Sequence, residues 1–188
     1  MQNNQELLQA EAAYKQGQYD QAWGLYQRLA DVGVTDAYLL LGWMAQNGLG
    51  CEKDMDKAFQ LYLAAGESGN SDGWYRAGKV MLSNGLSKEG YDLVEKAANL
   101  GYVPAIYRKA KLLLNGRGTQ ENRADALELY KMAAHKNHIF SLRDLGVILI
   151  LGEDGFVGRF LGVWYYLKAF FLAIVYGAKD QFDERLQE

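Results

Sequence analysis

The sequence predicts an all-α protein, an α-solenoid of stacked antiparallel helix pairs with about five helical hairpins. Apolar and small residues recur at spacings of three and four along most of the 188-residue chain, as they do on one face of an α-helix. The chain has one proline and 21 glycines, and the glycines fall mainly where the helical patterns end. A small residue recurs at Ala37, Gly73, Ala105 and Ser141, which gives periods of about 36, 32 and 36 residues.

We predict a single domain over residues 1–188. Its repeat-like units are expected at about 5–33, 36–70, 72–102, 104–138 and 140–178. In the first unit, two amphipathic runs are separated by Gly17, which is predicted to end the first helix in a left-handed conformation. The first unit is therefore a helical hairpin.

The second unit repeats this plan with a longer turn, Asn47-Gly48-Leu49-Gly50. Gly42 is expected to allow a close approach of two backbones. Asp54 is the predicted N-cap of the second helix, because its short carboxylate can accept from free amides of the first turn. Gly69 is predicted to close the unit.

The third and fourth units follow the same order of features. Ser87 and Asn122 are the predicted N-caps of their second helices, and Gly101 is the predicted stop of the third unit. The third unit has a shortened turn without the second loop glycine, whereas the fourth restores it in Asn115-Gly116-Arg117-Gly118.

These features together resemble the Sel1-like repeat, a longer-looped relative of the tetratricopeptide repeat. The resemblance is carried by the small-residue pair of the first helix, the G-x-G turn, the Asp or Asn cap, the tyrosine and the paired alanines. It covers residues 7 to 152, and the first hairpin is closer to a plain tetratricopeptide unit. The resemblance implies a right-handed solenoid whose first helices line a concave surface, and it implies a binding scaffold without naming what is bound.

If the small-residue pair points into each hairpin, the free positions of the first helices point toward that concavity. The predicted pairs are Tyr75 with Lys79 and Tyr107 with Lys111, at spacing i,i+4 in neighbouring units. Aromatic faces with ammonium groups suit a protein or peptide that carries carboxylates. The alternative is that the tyrosines fill the space between first helices while the lysines extend to solvent. The predicted partner-binding residues are Leu39, Trp43, Gln46, Tyr75, Lys79, Tyr107, Lys111, Asn115 and Arg143.

The stretch from Phe156 to Tyr176 is the most apolar part of the chain. Arg159 and Lys168 interrupt it, so the uncharged run is ten residues long, from Ala169 to Ala178, whereas a membrane span needs about 20. We favour a hydrophobic closing helix. A homodimer interface or a membrane contact stays open, with Trp164, Phe170 and Phe171 as the contact residues.

Composition narrows the function classes. A net charge of −3 gives no basic footprint for nucleic acid. Cys51 stands alone, so no intramolecular disulfide forms, and the first residues lack the basic and apolar regions of a secretory signal. The expected location is the cytoplasm, with a peripheral position at the cytoplasmic membrane as the alternative.

We predict neither catalysis nor a cofactor nor a metal. His135 and His138 lie three residues apart without a converging Cys or carboxylate cluster, so we expect solvated or capping histidines. The G-x-G turns lack the strand, third glycine and downstream acid of a dinucleotide site. Cys51 has no histidine near it in sequence to activate it.

The predicted function is therefore a non-catalytic protein-interaction scaffold or adaptor. The resemblance implies bacterial roles as immunity partners of secreted effectors, as regulators of exopolysaccharide synthesis, or as adaptors in signalling or envelope assembly. The alternative is a membrane-associated accessory protein that docks through its C-terminal hydrophobic helix.

Overall fold

In the computed structural model, which describes residues 2–152 and 155–177, all regular secondary structure is α-helical. The helices of these residues are α1 (Gln2–Lys15), α2 (Tyr19–Asp31), α3 (Thr35–Asn47), α4 (Met55–Glu67), α5 (Ser71–Ser83), α6 (Ser87–Asn99), α7 (Val103–Leu114), α8 (Arg123–His135), α9 (Ile139–Leu151) and α10 (Gly155–Gly177). The prediction of an all-α fold is confirmed. Ala178, where the fifth predicted unit ends, lies outside the described residues.

Successive helices pair as hairpins around a repeated buried position. α1 packs on α2, α3 on α4, α5 on α6 and α9 on α10, while α7 meets α8 through the rings of Tyr107 and Tyr130, 5.9 Å apart. At one register of the second helices lie Tyr26, Tyr62 and Tyr130, each 1% exposed. Val94 replaces the tyrosine in the third hairpin and is equally buried.

The helices cluster into two compact units. The first extends to Ala105 and includes the loop segment Arg117–Thr119. The second comprises Ile106–Gly116 and the described residues from Gln120 onward. The prediction of one domain over the whole chain stays a prediction.

The predicted helix caps are confirmed in two of three cases. Asp54 accepts from the Lys57 amide at 2.8 Å, and Asn122 accepts from the Asp125 amide at 3.1 Å. The prediction for Ser87 is wrong, because Ser87 is the first residue of α6 and Leu86 holds the N-cap position without a side-chain hydrogen bond. Because the loop of this hairpin is shorter, the helix starts at the serine itself and not at the residue after it.

Gly42 makes room for a side chain, where we had expected a close approach of two backbones. A Cβ atom at Gly42 would lie 2.6 Å from Cε1 of Tyr62. In the third hairpin, a Cβ atom at Gly78 would lie 2.8 Å from Cγ2 of Val94 and 3.0 Å from the Gly90 carbonyl oxygen. The size of the residue at the tyrosine register therefore decides whether the helices meet through a ring or through backbone.

The last second helix differs from its equivalents in length. α10 has 23 residues, whereas α2, α4, α6 and α8 have 13 each. It packs along α9, where a Cβ atom at Gly162 would lie 2.7 Å from the Gly146 carbonyl oxygen. The closing hairpin is thus held by direct contact between two helix backbones.

Candidate functional site

The predicted pair on α5 is formed. Lys79 Nζ lies 5.7 Å from the centroid of the Tyr75 ring, and both side chains are half-buried. This distance places the ammonium group within range of a cation–π contact. We name Tyr75, Lys79 and the groups beneath them (Asp72, Arg76 and Tyr102) the α5 patch.

The Asp72 carboxylate links two other residues of the α5 patch through hydrogen bonds. It accepts a 2.8 Å hydrogen bond from the Tyr102 hydroxyl and a 2.9 Å bond from Arg76 Nε. The Tyr102 ring in turn lies 5.5 Å from the Tyr75 ring. Burial, followed by the Asp72 charge, raises the pKa of Tyr102 above its usual range, so the phenol remains a hydrogen-bond donor. The carboxylate is therefore satisfied inside the protein.

Gln46 and Arg76 both contact Tyr62, the buried tyrosine of the second hairpin. The Tyr62 hydroxyl donates to Oε1 of Gln46 at 2.9 Å, and the Arg76 guanidinium lies 5.9 Å from the Tyr62 ring centroid. Burial raises the pKa of Tyr62 to about 12, although Arg76 opposes this shift. Gln46, a predicted partner-binding residue, therefore has an acceptor atom already used within the fold.

Leu39 and Trp43 pack partly into the core of the first unit. Leu39 lies against the buried cluster that contains Tyr62 and Ala77. Trp43 lies against the neighbouring cluster, with its ring edge-to-face on Tyr14 at 5.8 Å. Both stay half-buried, so each has packed and accessible parts.

The predicted pair on α7 is also formed. Lys111 Nζ lies 5.5 Å from the centroid of the Tyr107 ring, and both side chains are half-buried. The Tyr107 hydroxyl donates to Asp144 Oδ2 at 2.9 Å, and Arg143 Nε donates to Asp144 Oδ1 at 2.8 Å. We name Tyr107, Lys111, Arg108, Arg143 and Asp144 the α7 patch.

Aromatic rings surround Tyr107 in the second unit. Its ring lies 4.9 Å from His138 and 6.1 Å from Phe140. The predicted residue Arg143 lies over the Phe140 ring at 5.2 Å and is exposed. Burial, followed by the hydrogen bond to Asp144, raises the pKa of Tyr107 above its usual range.

One cationic group of the α7 patch has an unused donor. Among the described residues, no hydrogen-bond partner lies within reach of the buried Nε atom of Arg108. A buried donor without a partner is unusual in folded proteins. Because this atom is buried, its donor lies inside the protein and is not accessible to a partner from solvent.

Asn115, a predicted partner-binding residue, directly follows the last residue of α7. Its Nδ2 atom donates to the Lys111 carbonyl at 2.7 Å, and Asn47 makes the same bond to the Trp43 carbonyl at 2.7 Å. Asn115 is therefore the equivalent of Asn47, and both lie at the end of a first helix.

Sequence reasoning missed Asp72, Asp144, Tyr102 and Arg108. Asp72 and Tyr102 are 30 positions apart, and Tyr107 and Asp144 are 37 positions apart. The available signal was the repeat period itself, since a polar group one period away from a first-helix tyrosine is a candidate neighbour. Whether the two patches bind a partner stays a prediction.

The predicted contact residues of α10 are exposed. Trp164 is 50% exposed, Phe170 62% and Phe171 68%. By length and composition, Gly155–Tyr176 could cross a membrane, and few of its residues are buried in the protein. A core helix of a soluble protein can satisfy the same criterion, so α10 carries no membrane assignment on this ground.

The two histidines are placed as a cap and a surface residue. His138 is the N-cap of α9, where Nδ1 accepts from the Ser141 amide at 3.2 Å, and His135 is exposed. Burial raises the pKa of the Cys51 thiol, so it is a poor nucleophile. Within residues 2–152 and 155–177, no three His, Cys, Asp or Glu side chains are grouped so that they could hold a metal ion.

We expect the stability of the second unit to fall between about pH 7 and about pH 5 because of His138. Burial lowers its pKa from 6.5 to about 4, so the unfolded chain takes up the proton first and stability is lost as the pH falls below 6.5. After allowance for its partial exposure, the loss is about 1–2 kcal/mol. Urea unfolding at the two pH values measures it.

The matched variant is His138→Asn, because asparagine keeps the N-cap but does not titrate in this range. We expect this variant to lose less stability than the parent over the same interval. His135→Asn is the control and should behave as the parent does. If His138→Asn loses as much stability as the parent, the assignment to His138 is wrong.

The chain matches the Sel1 repeat family over residues 35–70, 75–102 and 103–138. A Sel1 repeat protein from Oxalobacter formigenes is 27% identical, with a TM-score of 0.75, over 86% of this chain and 68% of that one. The protective antigen c5321 of uropathogenic Escherichia coli is 23% identical, with a TM-score of 0.74, over 92% of this chain and 40% of that one.

The immunity protein Pa5087 from Pseudomonas aeruginosa is 23% identical, with a TM-score of 0.58, over 86% of this chain and 65% of that one. These bacterial structures share the helical-repeat solenoid fold, which confirms the predicted fold class and supports a bacterial source. Sel1 repeat proteins are in general non-catalytic scaffolds that bind other proteins. The chain belongs to the Sel1 repeat family.

Proposed function

We propose that this chain is a non-catalytic scaffold that binds a partner protein or peptide carrying acidic groups, through the α5 and α7 patches. The observation that supports this most is the repetition of one geometry. A lysine ammonium lies 5.7 Å from a tyrosine ring on α5 and 5.5 Å from a tyrosine ring on α7. Core packing alone requires neither lysine at these positions.

The internal bonds of the two patches favour an acidic partner. Asp72 is paired with Arg76, and Asp144 is paired with Arg143, so each carboxylate already has a cation from its own patch. Lys79 and Lys111, which lie over the tyrosine rings of these patches, add positive charge to them. A partner carboxylate near either lysine would gain charge-assisted hydrogen bonds.

The tyrosines serve chiefly to hold these cations in place. Tyr107 is fixed by its bond to Asp144, and Tyr75 by its contact with Tyr102. A lysine stem that lies along a fixed ring has less freedom to lose when the ammonium binds a carboxylate. Tyrosines that fill space between helices can therefore also position a lysine for a partner carboxylate.

We expect Lys79→Glu combined with Lys111→Glu to weaken capture of the native partner by about tenfold or more, since each reversed charge turns attraction into repulsion. The measurement is a pull-down from the native cell, with quantitative mass spectrometry of the captured proteins. The tyrosines stay in place, so the hydrogen bonds beneath the patches are kept.

The matched control uses two lysines of second helices, each of which lies over a tryptophan ring. Lys57 Nζ lies 4.6 Å from the Trp23 ring, and Lys96 Nζ lies 4.7 Å from the Trp74 ring. Lys57→Glu combined with Lys96→Glu changes the net charge equally and removes the same kind of contact. Equal capture by the two double variants would rule out the proposed role of Lys79 and Lys111.

The finer roles, as an immunity partner or a regulator, concern which protein is bound. The fold of Pa5087 is compatible with an immunity role, and its identity of 23% supports the fold alone. A captured secreted effector would favour the immunity role, whereas a captured synthase or envelope protein would favour a regulatory one.

The second candidate is a membrane-associated accessory protein, which rests on the exposed apolar surface of α10. It predicts that the full chain sediments with membranes and that removal of residues 156–188 releases it. A full chain that remains in the soluble fraction would rule this candidate out. A cytoplasmic location is part of our first proposal.

A further inference from the structure

One face of α10 carries an uninterrupted heptad pattern. Six apolar side chains follow one another at alternating spacings of four and three, which is the 3.5-residue period of a helix that packs along another helix. All six are exposed, from 46% for Val163 to 85% for Phe156. We name this set the α10 seam: Phe156, Phe160, Val163, Leu167, Phe170 and Ile174.

The seam faces away from the rest of the second unit. Gly158, Gly162 and Ala169 are buried on the opposite side of the helix, where Gly162 meets the backbone of α9. At 100° per residue, Leu167 and Gly158 point in opposite directions. No described residue of this chain therefore covers the seam.

A sixth repeat in the usual mode does not fit there. In the earlier second helices, the register equivalent to Phe170 holds a small buried residue. The next first helix packs closely at that point, since a Cβ atom at Gly73 would clash with the backbone nitrogen of Gly66. The equivalents of Phe170 are Ala30, Gly66, Ala98 and Ala134. Phe170 fills the space that another repeat would occupy.

The exposed apolar area is too large for an ordinary free surface. With the flanking residues Val157, Trp164 and Phe171, the seam exposes on the order of 1,000 Å², whereas the largest apolar patch of a typical monomer is about 300–600 Å². Two copies that covered this face would bury about 2,000 Å², which lies within the range of stable protein interfaces.

The charges and aromatic residues of α10 argue against a bilayer as the covering surface. Lys168 lies near the middle of the helix, next to Trp164, Tyr165 and Tyr166. Spanning helices keep charges away from the bilayer centre and place tryptophan and tyrosine at its edges. Arg159 and Lys168 point to opposite flanks of α10, so there is no charged face of the kind that a helix lying on a membrane needs.

We propose that the α10 seam packs against the α10 seam of a second copy of this chain, in a two-fold symmetric dimer. The interface is a helix pair with the seam side chains interlocked, and it contains no charged residue. Arg159 and Lys168 remain at its flanks, in solvent. The seam shares no residue with the α5 and α7 patches, so the dimer and the proposed partner binding are tested by different variants.

The test is the mass of the full chain in solution, measured by sedimentation equilibrium over a range of concentrations. We expect a dimer for the parent and a dissociation constant at least a hundredfold higher for Leu167→Glu, because two carboxylates would be buried in an apolar interface. Leu161→Glu is the matched control. Leu161 is exposed and apolar on the same helix but lies off the seam, so this variant should remain a dimer.

A second measurement does not depend on the stability of the charged variant. In a Cys51→Ser background, the double variant Val163→Cys with Leu167→Cys should form a disulfide between copies under mild oxidation. These residues lie on either side of the middle of the seam, so centred seams bring two of the cysteines together whether the helices run parallel or antiparallel. Leu161→Cys should not form a disulfide. A chain that is monomeric at all concentrations overturns the proposal. So does a dimer in which the Val163→Cys, Leu167→Cys variant forms no disulfide, or a parent chain that floats with phosphatidylcholine and phosphatidylglycerol vesicles.

Discussion

Gly118→Ala is expected to lower the free energy of unfolding by about 3 kcal/mol or more. Gly118 has a φ of +77°, and a Cβ atom there would clash with the carbonyl oxygen of Ser87, at the start of α6. The clash cannot be relieved by a side-chain rotation, because the Ser87 carbonyl is backbone and the Cβ position is fixed by the backbone of residue 118. Urea unfolding of the full chain, with the slope and midpoint compared with the parent, measures the loss.

The control is Gly85→Ala, which isolates the clash from the backbone strain. Gly85 has a similar φ of +84°, but no atom lies within 4 Å of a Cβ placed there. We expect this variant to lose only about 1 kcal/mol, the cost of a left-handed alanine. Equal losses for the two variants would show that the contact with Ser87 does not hold the loop.

This comparison concerns a feature of the whole repeat. In the second hairpin, the equivalent glycine, Gly50, would clash in the same way with the carbonyl oxygen of Tyr19, at the start of α2. At the second glycine of the G-x-G turn, the loop therefore packs directly against the backbone of the preceding hairpin. The third hairpin has no such glycine, and its shorter loop ends at Leu86.

Gly162→Ala is expected to lower the free energy of unfolding by about 2–3 kcal/mol, although alanine is the better helix former. The added Cβ would lie 2.7 Å from the Gly146 carbonyl oxygen and 2.9 Å from the Ile150 amide nitrogen. Since α10 contacts the described chain chiefly through α9, the two helices must move apart. Urea unfolding followed by circular dichroism reports this change.

Gly24→Ala is the matched control for a glycine inside a helix. No atom lies within 4 Å of a Cβ at Gly24, so the variant is expected to gain about 0.5–1 kcal/mol from helix propensity alone. The opposite signs distinguish packing from propensity. A gain in stability for Gly162→Ala would contradict close backbone packing between α9 and α10.

The local chemistry of the helix ends could be read from the sequence, with one exception. Asp54 and Asn122 cap as predicted, because a short side chain before a helix accepts from the amides two or three residues on. The prediction of Ser87 as an N-cap is wrong because the loop before it is shorter than in the neighbouring hairpins. Loop length sets which residue begins a helix, and cap propensity does not report it.

The candidate site could be predicted only in part. Two lysine–tyrosine pairs could be predicted, Tyr75 with Lys79 and Tyr107 with Lys111. Residues at spacing i,i+4 lie on the same side of a helix, so each pair follows from the sequence of one helix. The carboxylates beneath them come from other helices, so their positions depend on how hairpins pack. Gln46 was placed on the binding face from its register, yet its amide oxygen serves the Tyr62 hydroxyl.

By itself, the sequence determined the helices, their repeat period and the family, because each follows from spacing along one chain. It also identified α10 as unlike the other second helices. Only the tertiary structure showed that Gly42 makes room for the Tyr62 ring. It also showed that the loops pack against the backbone of earlier hairpins at Gly50 and Gly118. The physical reason is that packing depends on the distance between helices, and that distance is set jointly by residues of different helices that lie far apart in the sequence.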